Sequence, residues 1–149
     1  MNKSVYLSGS IEYSKDPSSW RNKMEKELYG ICKVINPWFD VYQTTQFCPL
    51  EKEDTITYKE WIYNNFIIPD IQDVMRCSHF FIKIDKATGR GSGTWGELTV
   101  AAYLNKRIIY MIDGIDIPNI PGWSLGCLAY AHKVDNIDEA IDFIKKDVI

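Results

Sequence analysis

Short apolar segments of strand length alternate along this chain with segments in which apolar residues recur at helical spacing. This alternation constrains the fold more than any single motif does, because strands joined through helices pair in parallel and need a helical layer to cover them. The strand-length segments cover residues 5–7, 34–35, 80–84, 107–112 and 131–134. The sequence therefore predicts an α/β protein with a mostly parallel sheet.

The segments between these strands give the helices and their ends. Helical spacing runs through residues 20–31, 58–75, 94–104 and 137–144, whereas residues 38–57 and 114–126 are predicted as loops. Asp16 or Ser18 is expected to cap the first helix and Asn136 the last, and Pro69 predicts a kink or a new helix start. Together these signals predict a single-domain, doubly wound fold over residues 1–149, of the Rossmann or flavodoxin type, with four or five strands and helices on both faces.

Composition and charge exclude several classes of protein. The chain is 46% hydrophobic and 25% charged, as is typical of a globular domain, and its net charge of −3 has the wrong sign for coating nucleic acid. It has no run of 18 apolar residues, which excludes a membrane span, and its first residues lack the apolar core of a secretory signal. Four cysteines without a CxxC pair and only two histidines predict free thiols in the cytoplasm, with no metal and no cofactor.

The most informative stretch is Gly-Arg-Gly-Ser-Gly-Thr-Trp-Gly-Glu at 89–97. A glycine-rich loop that leads into a helix points backbone N–H groups outward, so Gly91, Ser92 and Gly93 are candidate contacts for an anionic or polyhydroxylated ligand. Glu97 has two interpretations. Thr94-x-x-Glu97 matches a capping box, in which the carboxylate bonds back to the start of its own helix, and a carboxylate near the strand ends also suits catalysis.

Other candidate residues also have a structural and a functional interpretation. Asp70 and Asp73 share a helical face, either as an acid pair or as partners of the helix dipole. Ser8, Gly9 and Ser10 follow the first strand, either as a plain turn or as a cradle for a sugar hydroxyl or phosphate. Trp38 is either a lid on the core or a platform on which a base stacks.

Two further residues read as structural. Tyr6 is usual in a β-strand. His79 begins a strand and has no serine or cysteine partner at a recognisable spacing.

In their order and spacing, these segments resemble the nucleoside 2-deoxyribosyltransferase-like family, which includes N-glycosidases of deoxynucleoside 5′-monophosphates. The resemblance is carried by Val-Tyr-Leu-Ser-Gly-Ser-Ile at 5–11, the region of Asp70, the strand at 80–84, Ser-Gly-Thr-x-x-Glu at 92–97, and the small-residue helix and hydrophobic strand at 101–109. It implies cleavage or transfer of the N-glycosidic bond of a 2′-deoxynucleoside, or of its 5′-monophosphate, through a glycosyl-enzyme intermediate.

The resemblance also implies roles for particular residues. Glu97 falls on the catalytic nucleophile, Asp70 on an active-site acid that would assist departure of the base, and Tyr6 on an aromatic residue that holds the sugar and the nucleophile. Gly9 and Ser10 fall on the loop that contacts the 5′ side of the sugar. The implied partners are a small-molecule nucleoside or nucleotide and further copies of the chain, in a homodimer or higher homo-oligomer.

Three positions depart from the family pattern. Gly91 and Ser78 stand where the family commonly has Asp, and Glu12 stands where the monophosphate hydrolases usually carry a basic residue. Glu12 would repel a 5′-phosphate, which favours a nucleoside as substrate. The residues that could offset this repulsion are Lys15, Arg21, Arg90 and Ser92.

Two alternatives to an N-glycosidic enzyme follow from the sequence. Gly91 in place of an acid favours a non-catalytic module that binds or senses a nucleotide in the same pocket. The fold prediction alone is also compatible with an unrelated protein of the flavodoxin or Rossmann type, which would bind a flavin or a nicotinamide.

Overall fold

The computed structural model describes residues 2–39 and 48–149, and the strands within these ranges form one parallel sheet. The spatial order is β2-β1-β3-β4-β5, with every neighbouring pair parallel. This is the flavodoxin-like order, and it confirms the predicted doubly wound α/β fold. The strands are β1 (Ser4–Gly9), β2 (Lys33–Ile35), β3 (His79–Ile84), β4 (Arg107–Ile112) and β5 (His132–Lys133).

Helices cover both faces of the sheet. They are α1 (Ser19–Leu28), α2 (Ile56–Ile62), α3 (Ile68–Arg76), α4 (Gly93–Tyr103), α5 (Gly122–Cys127) and α6 (Ile137–Asp147). The prediction that residues 114–126 form only a loop is wrong, because they contain a 3₁₀ turn at Ile117–Asn119 and most of α5. Pro121 and Gly122 lie where α5 begins, and the first turn tolerates both because its N–H groups have no helical acceptor. Among the described residues, no helix is long and apolar enough to cross a bilayer.

Alternate residues of β1 enter two separate cores. Val5 and Leu7 pack with Met24 of α1 and Ile141 of α6 on one face of the sheet. Tyr6 points to the other face, where α3 and α4 cover it. Successive side chains of a strand leave opposite faces, so Tyr6 and Ser8 share the face that α4 covers.

The stretch from α2 to α3 is continuous through a π-helical turn at Tyr63–Ile67, in which the N–H of Ile68 bonds to the carbonyl of Tyr63. The break predicted at Pro69 therefore takes the form of a wider turn just before the proline. A regular helix would leave one carbonyl without a donor at Pro69. The extra residue of the π turn rotates α3 by about 100° relative to an uninterrupted helix, and this sets the direction in which Asp70 points.

The helix caps follow the sequence signals closely. The Asn136 side chain accepts a hydrogen bond from the N–H of Glu139 at 2.9 Å, as predicted for the start of α6. At the start of α1, the Asp16 carboxylate accepts from the N–H of Ser19 at 3.1 Å, whereas the side chain of Ser18 makes no capping bond.

His79 joins the start of β3 to the end of α6. Its Nε2 atom lies 2.8 Å from the Asp147 carboxylate, which also accepts from Arg107 Nε at 3.2 Å. Its Nδ1 atom lies 2.9 Å from the hydroxyl of Ser78. This partner is the adjacent residue, a spacing that catalytic patterns do not use. These residues lie at the amino ends of the strands, and the contacts of Asp147 connect α6 to the sheet.

Asp147→Asn is expected to lower the free energy of unfolding at pH 7 by about 1 kcal/mol, since it weakens two hydrogen bonds to a charged acceptor. Burial would raise the pKa of Asp147, but the hydrogen bonds from His79 and Arg107 outweigh it and leave the pKa below its usual value. The stabilisation is therefore present above the unfolded-state pKa of roughly 3.9 and is lost as the pH falls through the folded-state value. Urea unfolding of both proteins at pH 7 and below pH 3 measures this loss.

The matched control is Asp142→Asn, which removes an exposed carboxylate from the same helix. It should leave the free energy of unfolding nearly unchanged at either pH. If the two variants lose the same amount at pH 7, the contacts of Asp147 do not stabilise the fold.

Candidate active site

Glu97, in the first turns of α4, is held by side chains from β1. Its Oε2 atom accepts a hydrogen bond from the hydroxyl of Tyr6, and its Oε1 atom accepts one from Ser8 Oγ at 2.8 Å. The capping-box interpretation is wrong, because Thr94 lies inside α4 and both carboxylate oxygens are engaged by β1. The carboxylate thus points across to the carboxyl end of the sheet and not back onto its own helix.

The surroundings of Glu97 keep its two donors protonated. Burial raises the pKa of the Tyr6 hydroxyl well above its usual value, and the negative charge of Glu97 adds to the effect. Tyr6 therefore stays neutral and donates. Burial also raises the pKa of Glu97, while the hydrogen bonds from Tyr6 and Ser8 and the positive charge of Arg21 favour its ionised form.

A cavity of about 960 Å³ opens beside Glu97, within the usual size range of small-molecule sites. It lies beyond the carboxyl ends of β1 and β3, where the strand order reverses and doubly wound proteins bind their ligands. The predicted site residues that line it are Gly9, Ser10, Asp70, Gly91, Ser92, Gly93 and Glu97. Much of the remaining wall is apolar and comes from the α2–α3 stretch, including Ile62, Phe66 and Ile71.

Two predicted binding residues do not line this cavity, as far as the described residues define it. Trp38 lies in a 3₁₀ turn at Pro37–Phe39, and its neighbour Pro37 reaches the cavity instead. Asp73 lies three residues beyond Asp70 on α3, which places it about 4.5 Å farther along the helix axis, away from the carboxyl edge. Neither Trp38 nor Asp73 therefore belongs to the cavity lining that the described residues define.

Gly9 allows α1 to approach the end of β1. A Cβ atom at this position would lie 2.9 Å from the Trp20 ring, closer than any real contact, so a larger residue would displace the ring or the strand end. Gly91 differs, because a Cβ there would touch the Tyr13 ring at an ordinary 3.6 Å. The guanidinium of Arg90 stacks on the same ring, 4.6 Å from its centre.

Charged residues at the cavity change one prediction about the substrate. The Glu12 carboxylate, expected to repel a 5′-phosphate, lies 3.3 Å from Lys52 Nζ. This pairing offsets its negative charge, so Glu12 is no longer an argument for a nucleoside over a nucleotide. Arg21 cannot serve as the compensating residue, because it is fully buried and its guanidinium binds backbone carbonyls.

Sequence reasoning did not predict the contacts that Ser8 and Arg21 make in this site. Ser8 could have been found from strand alternation, because it lies two residues after Tyr6 and leaves the same face of the sheet. Arg21 gave no comparable signal, since its position on α1 does not reveal that it turns inward.

The described residues contain no group of three or more His, Cys, Asp or Glu side chains that could hold a metal ion. What they assemble is a partly buried carboxylate with two hydroxyl donors, beside a second acid and an open cavity. Such a carboxylate can attack an electrophilic carbon or stabilise a positive charge that develops on it. No protein-family model matches the chain, and no curated protein shows significant sequence similarity to it.

Proposed function

We propose that the protein cleaves or transfers the N-glycosidic bond of a 2′-deoxynucleoside or its 5′-monophosphate, with Glu97 as the nucleophile. The observation that carries this proposal is the position of the Glu97 carboxylate, which is oriented by Tyr6 and Ser8 in the wall of a ligand-sized cavity. Asp70 lines the same cavity and provides the second acid that the reaction needs.

The reaction uses these groups in two steps. In the first, an oxygen of Glu97 forms a bond to C1′ of the sugar as the C1′–N bond breaks, and the electron pair of that bond leaves with the base. Protonated Asp70 donates its proton to the departing base. In the second step, water or another base attacks C1′ as the bond between C1′ and the Glu97 oxygen breaks. The proton of the attacking group passes to the Asp70 carboxylate, which restores both acids and gives hydrolysis or transfer.

Tyr6 and Ser8 have a positioning role in this scheme. Each donates one hydrogen bond to a different oxygen of Glu97, so the carboxylate plane is held while lone pairs remain free to attack. A group held in this way loses little freedom on reaching the transition state, which is how orientation lowers a barrier.

The proposal extends to the partners and the location of the protein. Side chains beside the cavity are apolar and exposed, with Ile56 at 69%, Tyr63 at 51% and Ile67 at 48% of their full exposure. A second copy of the chain that covers them would bury apolar surface and close the site. Cys32, Cys77 and Cys127 are free thiols, as suits a reducing cytoplasm.

The test is to incubate the full chain with each 2′-deoxynucleoside and each 5′-monophosphate, with and without a second free base, and to separate the products by chromatography. We expect free base or an exchanged nucleoside from at least one substrate. Binding without release or exchange would contradict the enzymatic proposal and favour a nucleotide-binding module. Neither binding nor turnover would contradict both.

A further inference from the structure

Arg21 of α1 is fully buried next to the end of β1. Its Nη2 atom donates to the carbonyl of Gly9 at 2.9 Å and to that of Leu7 at 3.5 Å, and its Nη1 atom donates to Pro17 at 2.8 Å. The guanidinium also stacks on the Trp20 ring at 4.4 Å. The two β1 carbonyls flank Ser8, so Arg21 holds the strand at the residue that donates to Glu97.

The strand end needs this donor because of a proline. The N–H of Lys33 in β2 donates to the carbonyl of Lys3 at 3.0 Å, and carbonyls two residues apart on a strand face the same neighbour. In the same register, the donor for Leu7 would be residue 37, and Pro37 has no N–H. Arg21 takes the place of the missing backbone donor.

The charge of Arg21 strengthens these hydrogen bonds, but bonds to carbonyls do not by themselves require a cation. Its hydrogen-bond partners are uncharged, and none of the described carboxylates lies within ion-pair distance of it. Its Nε atom is buried without a partner among the same residues. Burying a cation in this way costs several kcal/mol of hydration. This loss of hydration free energy indicates that the charge of Arg21 has a function beyond holding the strand end.

The negative charge that acts most strongly on Arg21 is that of Glu97, followed by smaller effects of Asp70 and Asp85. Burial lowers the pKa of Arg21 to about 10, which leaves the guanidinium charged at neutral pH. The hydroxyls of Tyr6 and Ser8 from β1 bond to Glu97, and Asp70 from α3 lines the same cavity. Arg21 from α1 acts on Glu97 through its charge and not through a direct contact.

We propose that Arg21 is a positioning residue for Glu97: it holds the strand end that carries Ser8, and its positive charge adds to the hydrogen bonds that favour the ionised carboxylate. The inference rests on the proposed function in one respect: ionisation of Glu97 serves catalysis because a nucleophile must be ionised to attack. The charge coupling itself is measurable without any substrate.

The test compares Arg21→Gln, which removes the charge but keeps a donor, with Arg21→Lys, which keeps the charge. The titration of Glu97 is followed by NMR of the side-chain carboxyl carbon in ¹³C-glutamate-labelled protein, with Glu97→Gln used to assign the signal. We expect Arg21→Gln to raise the pKa of Glu97 by roughly one unit or more, because an opposite charge is lost. We expect Arg21→Lys to leave it near the wild-type value.

Lys26→Gln is the matched control, since it removes an exposed positive charge from the same helix and should not move the titration. An unchanged Glu97 pKa in folded Arg21→Gln overturns the proposal. If that variant does not fold, Arg21→Met, which also removes the charge, takes its place: a rise of roughly one unit supports the proposal, and an unchanged Glu97 pKa overturns it.

These outcomes separate the inference from the proposed function. If no substrate is turned over and Arg21→Gln still raises the Glu97 pKa, the coupling stands and the enzymatic proposal fails. If turnover is measurable, the pH at which kcat/KM rises should move upward in Arg21→Gln and not in Lys26→Gln.

Discussion

Glu97→Gln is expected to lower base release and base exchange by at least ~10³-fold, because an amide cannot form the glycosyl ester. The fold should tolerate the change. The amide fills the same volume, and the hydroxyls of Tyr6 and Ser8 can rotate to accept as well as donate, so the free energy of unfolding should move by less than about 1 kcal/mol. Initial rates and urea unfolding on the same preparations measure both quantities.

Glu53→Gln is the control, because it removes an exposed carboxylate outside the cavity. It should keep wild-type turnover. Mass spectrometry of acid-quenched wild-type protein should also show a deoxyribosyl adduct that is absent from Glu97→Gln. Turnover in Glu97→Gln within roughly tenfold of wild type would show that this carboxylate is not the nucleophile.

Asp70→Asn is expected to lower the rate with natural deoxynucleosides by ~10²–10⁴-fold, which is the usual contribution of a general acid. The loss should depend on the leaving group. A deoxyriboside whose leaving group departs without protonation needs no acid, so Asp70→Asn should turn it over nearly as fast as wild type does. Rates with both kinds of substrate therefore test whether Asp70 donates a proton, and not only whether the reaction needs Asp70.

The neighbouring acid on α3 supplies the matched control. Asp73→Asn carries the same substitution outside the cavity lining and should change neither rate by more than a few-fold. An equal loss of Asp70→Asn activity with both kinds of leaving group would contradict proton donation. It would assign Asp70 to substrate binding or to the shape of the cavity.

Most of the fold could be predicted from local sequence. The alternation of strand and helix segments depends on neighbours within a few residues, and so does the helix cap that the Asn136 side chain makes. The boundaries of β4 at Arg107–Ile112 agree with the prediction for this reason. Helix α5 was missed because six residues with proline and glycine at the start give too little periodicity to distinguish a short helix from a turn.

The site was predictable only in part, because its geometry depends on contacts distant in sequence. The spacing of Thr94 and Glu97 is the same for a cap and for a catalytic carboxylate, and only the approach of β1 distinguishes them. The Arg21 side chain turns inward to the carbonyl of Leu7, for which Pro37 offers no N–H. Pro37 lies sixteen positions later in the chain, in the turn that follows β2. Asp73 shares a helical face with Asp70 but lies farther from the carboxyl edge of the sheet. Helical periodicity in the sequence does not show this difference in position.

The hydrogen bonds to Glu97 join residues that lie 91 and 89 positions apart in the chain. Contacts of such long range close large loops, and they form only when most of the chain has assembled around them. A ribosome-bound chain that ends before α4 therefore carries Tyr6 and Ser8 but lacks the carboxylate that they bind. Because β1 lies between β2 and β3, these contacts belong to the part of the fold that opens last, and the orientation of Glu97 should persist until the sheet itself unfolds.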